Sequence, residues 1–153
     1  MNFSEHLSYF EATNSDSAKK YGIKNEPDEA QMVNIERLAR NVFEPLRIWA
    51  NEPIRVNSLF RSVELNAKIG GAKNSQHTCI NGSAMDISAM GHKTNADLFN
   101  YIKDNLEFDQ LIWEFGTKLQ PDWVHVSFKL NDNRKEVLKG LKSNGKVIYQ
   151  KYE

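Results

Sequence analysis

The chain has a single cysteine, Cys79, so neither an internal disulfide nor a cysteine-rich metal site can form. It carries no excess of either charge, because 20 Lys and Arg balance 20 Asp and Glu. A neutral chain offers no general field for nucleic acid or for an anionic membrane, so neither is an expected partner. It also lacks an apolar run of the ~18 residues needed to span a bilayer. The first residues, Met-Asn-Phe-Ser-Glu-His, show no basic region followed by an apolar stretch, hence no secretory signal. The expectation is a protein that is cytoplasmic on synthesis, reaching any substrate at the cell wall only after release. Repeats, low-complexity runs and linkers are absent too. At 153 residues, 40% apolar and 10% aromatic, the chain is expected to form one domain over 1–153, folding as a monomer without staples.

What is present is a change of period along the chain. Residues 1–24 are polar with scattered aromatics. They suggest a turn or short helix over 11–16 and a short helix over 17–21 ending at Gly22. Pro27, Asp28 and Glu29 mark a helix start, since proline suits the first turn and acids suit the positive end of the dipole. Ile35, Leu38, Ala39, Val42, Phe43, Leu46 and Trp49 then recur at helical spacing, with a break expected at Pro45. Alternation and β-branching predict a strand over 54–58, and Ser62 is placed to cap a helix ending at Gly70-Gly71. A loop over 72–82, a buried strand over 84–89 and a helix over 96–104 follow, the helix capped by Thr94 or Asn95. Strands over 108–115 and 123–130 form a hairpin with a long loop; a Lys-rich polar stretch and a last strand over 147–149 complete the chain. Helices first and antiparallel strands later predict an α+β fold with helices packed on a central antiparallel sheet.

Three residues carry the chemistry: His77, Asp86 and His125. Two imidazoles and a carboxylate with one position left open are the donor set of a catalytic zinc ion, because a structural site closes all four positions with protein. Each residue also has an ordinary reading. His125 lies between Val124 and Val126 in a strand, where a half-buried histidine is common. Asp86 lies in the apolar run Ala84-Met-Asp-Ile87, where a carboxylate needs a cation, a donor or a metal. A salt bridge and a metal remain equally open there.

The ordered motifs Val56-Asn-Ser58-Leu-Phe-Arg61-Ser62, Leu65-Asn66, Gly70-Gly71, Asn74-Ser-Gln-His77, Gly82-Ser-Ala-Met-Asp86-Ile87 and Trp123-Val-His-Val-Ser127 resemble the M15 family of zinc peptidases. Within it they look like the phage and prophage-type D-alanyl-D-alanine carboxypeptidase-like members. The resemblance reaches Ser4-Glu-His6, Glu11-Ala-Thr13 and Glu44-Pro-Leu-Arg47, so it covers most of the chain. It implies the DD-peptidase/hedgehog-like α+β fold, with Zn2+ held by His77, Asp86 and His125. It implies that Arg61 binds substrate, where a guanidinium can fork onto a carboxylate or carbonyl. Ser75, Gln76 and Trp123 are the further substrate-binding candidates. For the general base there are two candidates: Asp122, three residues before the last ligand histidine, and Glu114, in an apolar strand across the hairpin from His125.

The implied activity is zinc-dependent hydrolysis of peptide bonds in peptidoglycan stem peptides, as a D-Ala-D-Ala carboxypeptidase or an L,D/D,D-endopeptidase. The alternative is a non-hydrolytic cell-wall-binding or phage structural module on the same fold. Two departures bear on it. Residues 78–81 separate His77 from Gly82, two more than the family's usual spacing, so His77 is the ligand whose placement is most at stake. Leu59 stands where a glycine is common, and a leucine disfavours a positive φ. Cys79 is expected to be a free loop thiol, His6 and His92 solvated, and the lysines over 129–146 a solvated face.

Overall fold

A computed structural model describes all residues, 1–153. A short hairpin of β1 (Asn2–Ser4) and β2 (Leu7–Ser8) precedes α1 (Tyr9–Thr13) and α2 (Asp16–Tyr21). Next come α3 (Glu29–Leu38), a widened π turn (Ala39–Phe43) and α4 (Glu44–Ala50). The break expected at Pro45 lies in that turn, immediately before it. In a regular helix the Pro45 ring would collide with the carbonyl four residues back, and the wider turn relieves this. The Glu44 N–H reaches back to the Ala39 carbonyl.

β3 (Ile54–Ser58), α5 (Val63–Lys68), β4 (Ser83–Ala89) and α6 (Asn95–Asn105) follow, with Ser62 and Thr94 as the side-chain caps of the two helices. β5 (Gln110–Glu114) and β6 (Trp123–Phe128) form the long-looped hairpin, each shorter than its hydrophobic run. β7 (Glu136–Ser143) and β8 (Lys146–Lys151) form a second hairpin. Its turn is Asn144-Gly145, both at positive φ (52° and 77°), a pairing that matches the twist of the flanking strands. β7 replaces the solvated lysine stretch expected from sequence. Lys139 and Lys142, set among Val137, Leu138 and Leu141, mask its strand character.

The sheet order is β3-β4-β6-β5-β7-β8. All neighbours are antiparallel except β5 and β7, which are parallel. The α+β class therefore holds, with a mixed rather than wholly antiparallel sheet.

Strand side chains alternate between faces. Met85, Ile87, Leu111, Trp113, Val124 and Val126 point to one face and are buried against Ile35, Leu38, Val42, Phe43, Leu46, Leu98, Phe99 and Ile102 of the helices. Asp86, Ile112, Glu114, Trp123 and His125 fall on the other face, which forms the floor of a cleft.

Candidate metal centre and its cleft

Asp86 and His125 are direct partners in the β4/β6 ladder, so their side chains stand together on the cleft face. His125 Nδ1 is 2.9 Å from Asp86 Oδ1. His77 comes from a different element, a single 3-10 turn (Gln76–Thr78) between α5 and β4. Its Nε2 lies 3.3 Å from Asp86 Oδ2, and the two imidazole rings meet edge-on with centroids 5.3 Å apart. The three ligand atoms fall within 4.8 Å of one another.

The protonation of His77 is fixed by its other nitrogen. His77 Nδ1 lies 2.7 Å from the Leu59 carbonyl oxygen, which only accepts, so Nδ1 must carry a hydrogen. In the neutral ring Nε2 is then a lone pair, and it faces a carboxylate oxygen. Two acceptors at this distance need a positive charge between them. A proton is disfavoured, because burial pushes His77 below its usual pKa and the nearby Asp86 only partly offsets this. A cation suits the site. Two ligand atoms of a tetrahedral ion, each at about 2.0–2.1 Å, stand about 3.3 Å apart. Burial alone would raise the Asp86 carboxyl, yet positive charge on its imidazole side, from a proton or a cation, and a hydrogen bond from His125 hold it well below the usual carboxylate range, the form a metal ligand needs. The residues present thus fit a divalent cation, and His77, Asp86 and His125 are the groups that would hold it.

The longer loop after His77 does not displace it, because α3 holds the loop from outside. Gln31 Nε2 donates to the Thr78 carbonyl, and Asn34 Nδ2 to those of Cys79 and Ile80, over 2.9–3.2 Å. Cys79 takes a left-handed φ of 58° and turns its side chain inward. It is a free thiol, as expected, but buried in the core, and burial pushes its pKa up to about 12. Leu59 needs no positive φ; its side chain is buried in the core and its carbonyl serves His77. His6 is not freely solvated either: it pairs with Glu44 over 2.6 Å. His92 is exposed.

Arg61 reaches the centre from the segment after β3. Its N–H donates to the His77 carbonyl over 2.8 Å, and its guanidinium is 3.7 Å from Asp86 Oδ2. Asn25 pins that segment, donating to the Phe60 carbonyl and accepting from the Ser62 N–H. Burial lowers the Arg61 pKa and Asp86 opposes the shift, so the guanidinium stays charged at the cleft edge. Ser75, Gln76 and Trp123 also line the cleft. Ser75 Oγ accepts from the His77 N–H, and Gln76 Nε2 donates to Asp109.

The two candidate bases part company. The register sets Ile112, not Glu114, opposite His125; Glu114 pairs with Trp123 and stands diagonal to His125, still on the cleft face. Its side chain is 5% exposed, with Oε1 buried and unpartnered. Burial raises its pKa, a shift that His125 partly opposes. Asp122 is exposed and outside the cleft, its backbone N–H closing the hairpin onto the Glu114 carbonyl. The sequence reading missed Asp109, Arg134, Leu138 and Tyr149, which also line the cleft. An acid beside the apolar run 111–113 was the one available signal, at Asp109.

The chain matches the family model described as Peptidase M15 over residues 5–127. It belongs to the M15 peptidase family. M15 enzymes are metallopeptidases, and the His77–Asp86–His125 group is this member's candidate metal site. No curated protein matches the chain. The family match ends within β6, leaving the β7/β8 hairpin of this M15 peptidase outside it. No helix is long and apolar enough to cross a membrane.

Proposed function

We propose that this M15 peptidase hydrolyses peptide bonds in peptidoglycan stem peptides, with Zn2+ held by His77, Asp86 and His125. The observation that carries the metal reading is the lone pair of His77 Nε2 aimed at the Asp86 carboxylate. Zinc suits a set of two imidazoles and one carboxylate, and it supplies Lewis-acid chemistry that acidifies water and polarises a carbonyl. The peptidoglycan reading is supported by the resemblance to D-alanyl-D-alanine carboxypeptidase-like members. An open, polar cleft with Arg61, Lys129 and Arg134 on its walls also suits a carboxylate-bearing peptide.

The residues divide the work. Arg61 is placed to fork onto a substrate carboxylate or carbonyl beside the metal. Glu114 is the general base: its carboxylate takes a proton from water and returns it to the leaving amine. Its unpartnered Oε1 and raised pKa suit that cycle, and the exposed position of Asp122 does not. Trp123 flanks the floor beside Glu114, with its Nε1 buried and unpartnered.

Metal analysis of the purified protein and hydrolysis of purified muropeptides test the reading together. One zinc per chain is expected, with release of a D-amino acid or of two peptide fragments. Zinc content that His125→Ala leaves unchanged, or intact muropeptides with the metal bound, would sink it.

A further inference from the structure

Glu114, Gly140 and Tyr149 stand in one row across three neighbouring strands. Glu114 pairs with Gly140 in the parallel β5/β7 ladder, and Gly140 pairs with Tyr149 in the β7/β8 hairpin. Paired positions share a face, so the row looks into the cleft, which Tyr149 lines. Gly140 is the gap between its neighbours. A Cβ there would lie 2.8 Å from Glu114 Oε1 and 3.0 Å from Tyr149 Cε1. Both side chains therefore lean over the same bare stretch of backbone, from opposite sides. On the far side of Glu114, Trp123 continues the row on β6. The carboxylate thus sits between an indole and a phenol, with Oε1 buried and free of any partner.

We propose that Tyr149 is a positioning residue for Glu114: its hydroxyl donates to the ionised carboxylate and holds it towards the His77–Asp86–His125 centre, and Gly140 is the opening through which it does so. The phenol is suited to donate, because burial and the Glu114 charge push it up to about 12 and keep it protonated at neutral pH. Gly140 and Tyr149 lie in the hairpin beyond the matched residues 5–127, whereas Glu114 lies within them. The catalytic consequence of this contact rests on Glu114 acting as the base; the contact itself does not.

The test uses Tyr149→Phe, which keeps the ring and removes the hydroxyl. Carbon-detected NMR of the Glu114 carboxyl, in zinc-loaded and metal-free protein, is expected to show its titration midpoint rise, because a donor to the charged form is lost. Gly140→Ala, which wedges the two side chains apart, is expected to give the same rise. With purified muropeptides, Tyr149→Phe should lower kcat roughly tenfold with little change in KM, the size of one hydrogen bond to a charged group. Added to Glu114→Gln, it should cost nothing further, because the two side chains act as a unit. A midpoint that stays put in both variants overturns the proposal, as does a full additional loss in the double variant. If muropeptides are not cleaved but the midpoint moves, the peptidoglycan reading fails and the Tyr149–Glu114 contact stands.

Discussion

Gln76 donates to Asp109 over 3.0 Å, and through this bond the turn that carries His77 is tied to the start of β5. Asp109 is 1% exposed and also takes the Arg134 guanidinium in a two-point fork at 2.8 and 3.0 Å. The Arg134 N–H adds a further bond at 3.0 Å. One buried carboxylate therefore joins the segment before β7, the start of β5 and the turn that carries His77.

Asp109→Asn keeps the shape and removes the charge. It is expected to destabilise the protein by about 2 kcal/mol, the scale of charged hydrogen bonds made unequal, read from urea unfolding. The pH dependence fixes the sign. Burial would raise the Asp109 carboxyl, but the Arg134 and Gln76 bonds bring it down to about 2. A depressed carboxyl contributes stability above its unfolded pKa of about 3.9 and loses it as pH falls. Wild type should lose this increment between about pH 4 and 2, and Asp109→Asn should lack that step.

Asp86→Asn tests the metal centre without touching substrate. A neutral amide replaces the anionic oxygen donor with a weaker ligand that brings no negative charge to the cation. Zinc affinity, measured by competition with a chromophoric chelator, should fall at least about 100-fold. Because a ligand that binds only the folded state stabilises it, zinc should raise the wild-type Tm; at 100 times Kd the gain is about 2.7 kcal/mol. Asp86→Asn should show almost none of that rise at the same zinc concentration.

How much of this was legible in the sequence depends on the range of each interaction. The strand over 54–58, the Ser62 cap and the helix after Thr94 follow from local chemistry and were readable. So were Asp86 and His125, whose flanking alternation already gave their face. The anchoring of His77 was not readable. It depends on the Leu59 carbonyl and on Gln31 and Asn34, residues 18 to 46 positions away. β7 escaped because Lys139 and Lys142 break up its apolar residues, and because its pairing with β5 is a long-range event. Tyr149 escaped with it, since only that pairing carries the C-terminal hairpin to Glu114.

Glu114→Gln separates function from stability. If Glu114 is the base, kcat for muropeptides should fall by about 10²–10⁴. In wild type the acid limb of kcat/KM should lie above the ordinary glutamate value of about 4.3, because burial raises this carboxyl. The linkage sign is the reverse of that for Asp109. A carboxyl whose folded pKa is raised costs stability as pH climbs through that pKa, where the buried group must ionise. Metal-free Glu114→Gln should therefore melt above wild type at pH 8, with the difference closing towards pH 4. A lower Tm at pH 8 would show that Glu114 is a structural carboxylate.

Cys79 should be inert in the folded protein. Its side chain is fully buried, and burial pushes the thiol up to about 12, so thiolate is scarce at pH 8. An aromatic disulfide reagent should label it at the rate of unfolding, and at once in denaturant. Fast labelling of the native protein would mean that the loop over 78–81 opens despite its anchors on α3.

Gly82 is where that loop meets the sheet, and two independent constraints hold it as glycine. Its φ is +92°, a region that side chains disfavour. A Cβ there would also lie 2.6 Å from the Phe128 carbonyl oxygen, which is backbone in the neighbouring β6 and has no rotamer to yield. Gly82→Ala must therefore move β4 away from β6 or change the path out of residues 78–81. Strain of this kind costs about 1–3 kcal/mol, and the crowding adds to it. The cost should not stop at stability. β4 carries Asp86 and β6 carries His125, so a shift between these strands opens the 2.9 Å approach of the two side chains. Gly82→Ala should lower both the urea midpoint and the zinc affinity, whereas Gly145→Ala, at a turn with no atom nearby, should lower only the first.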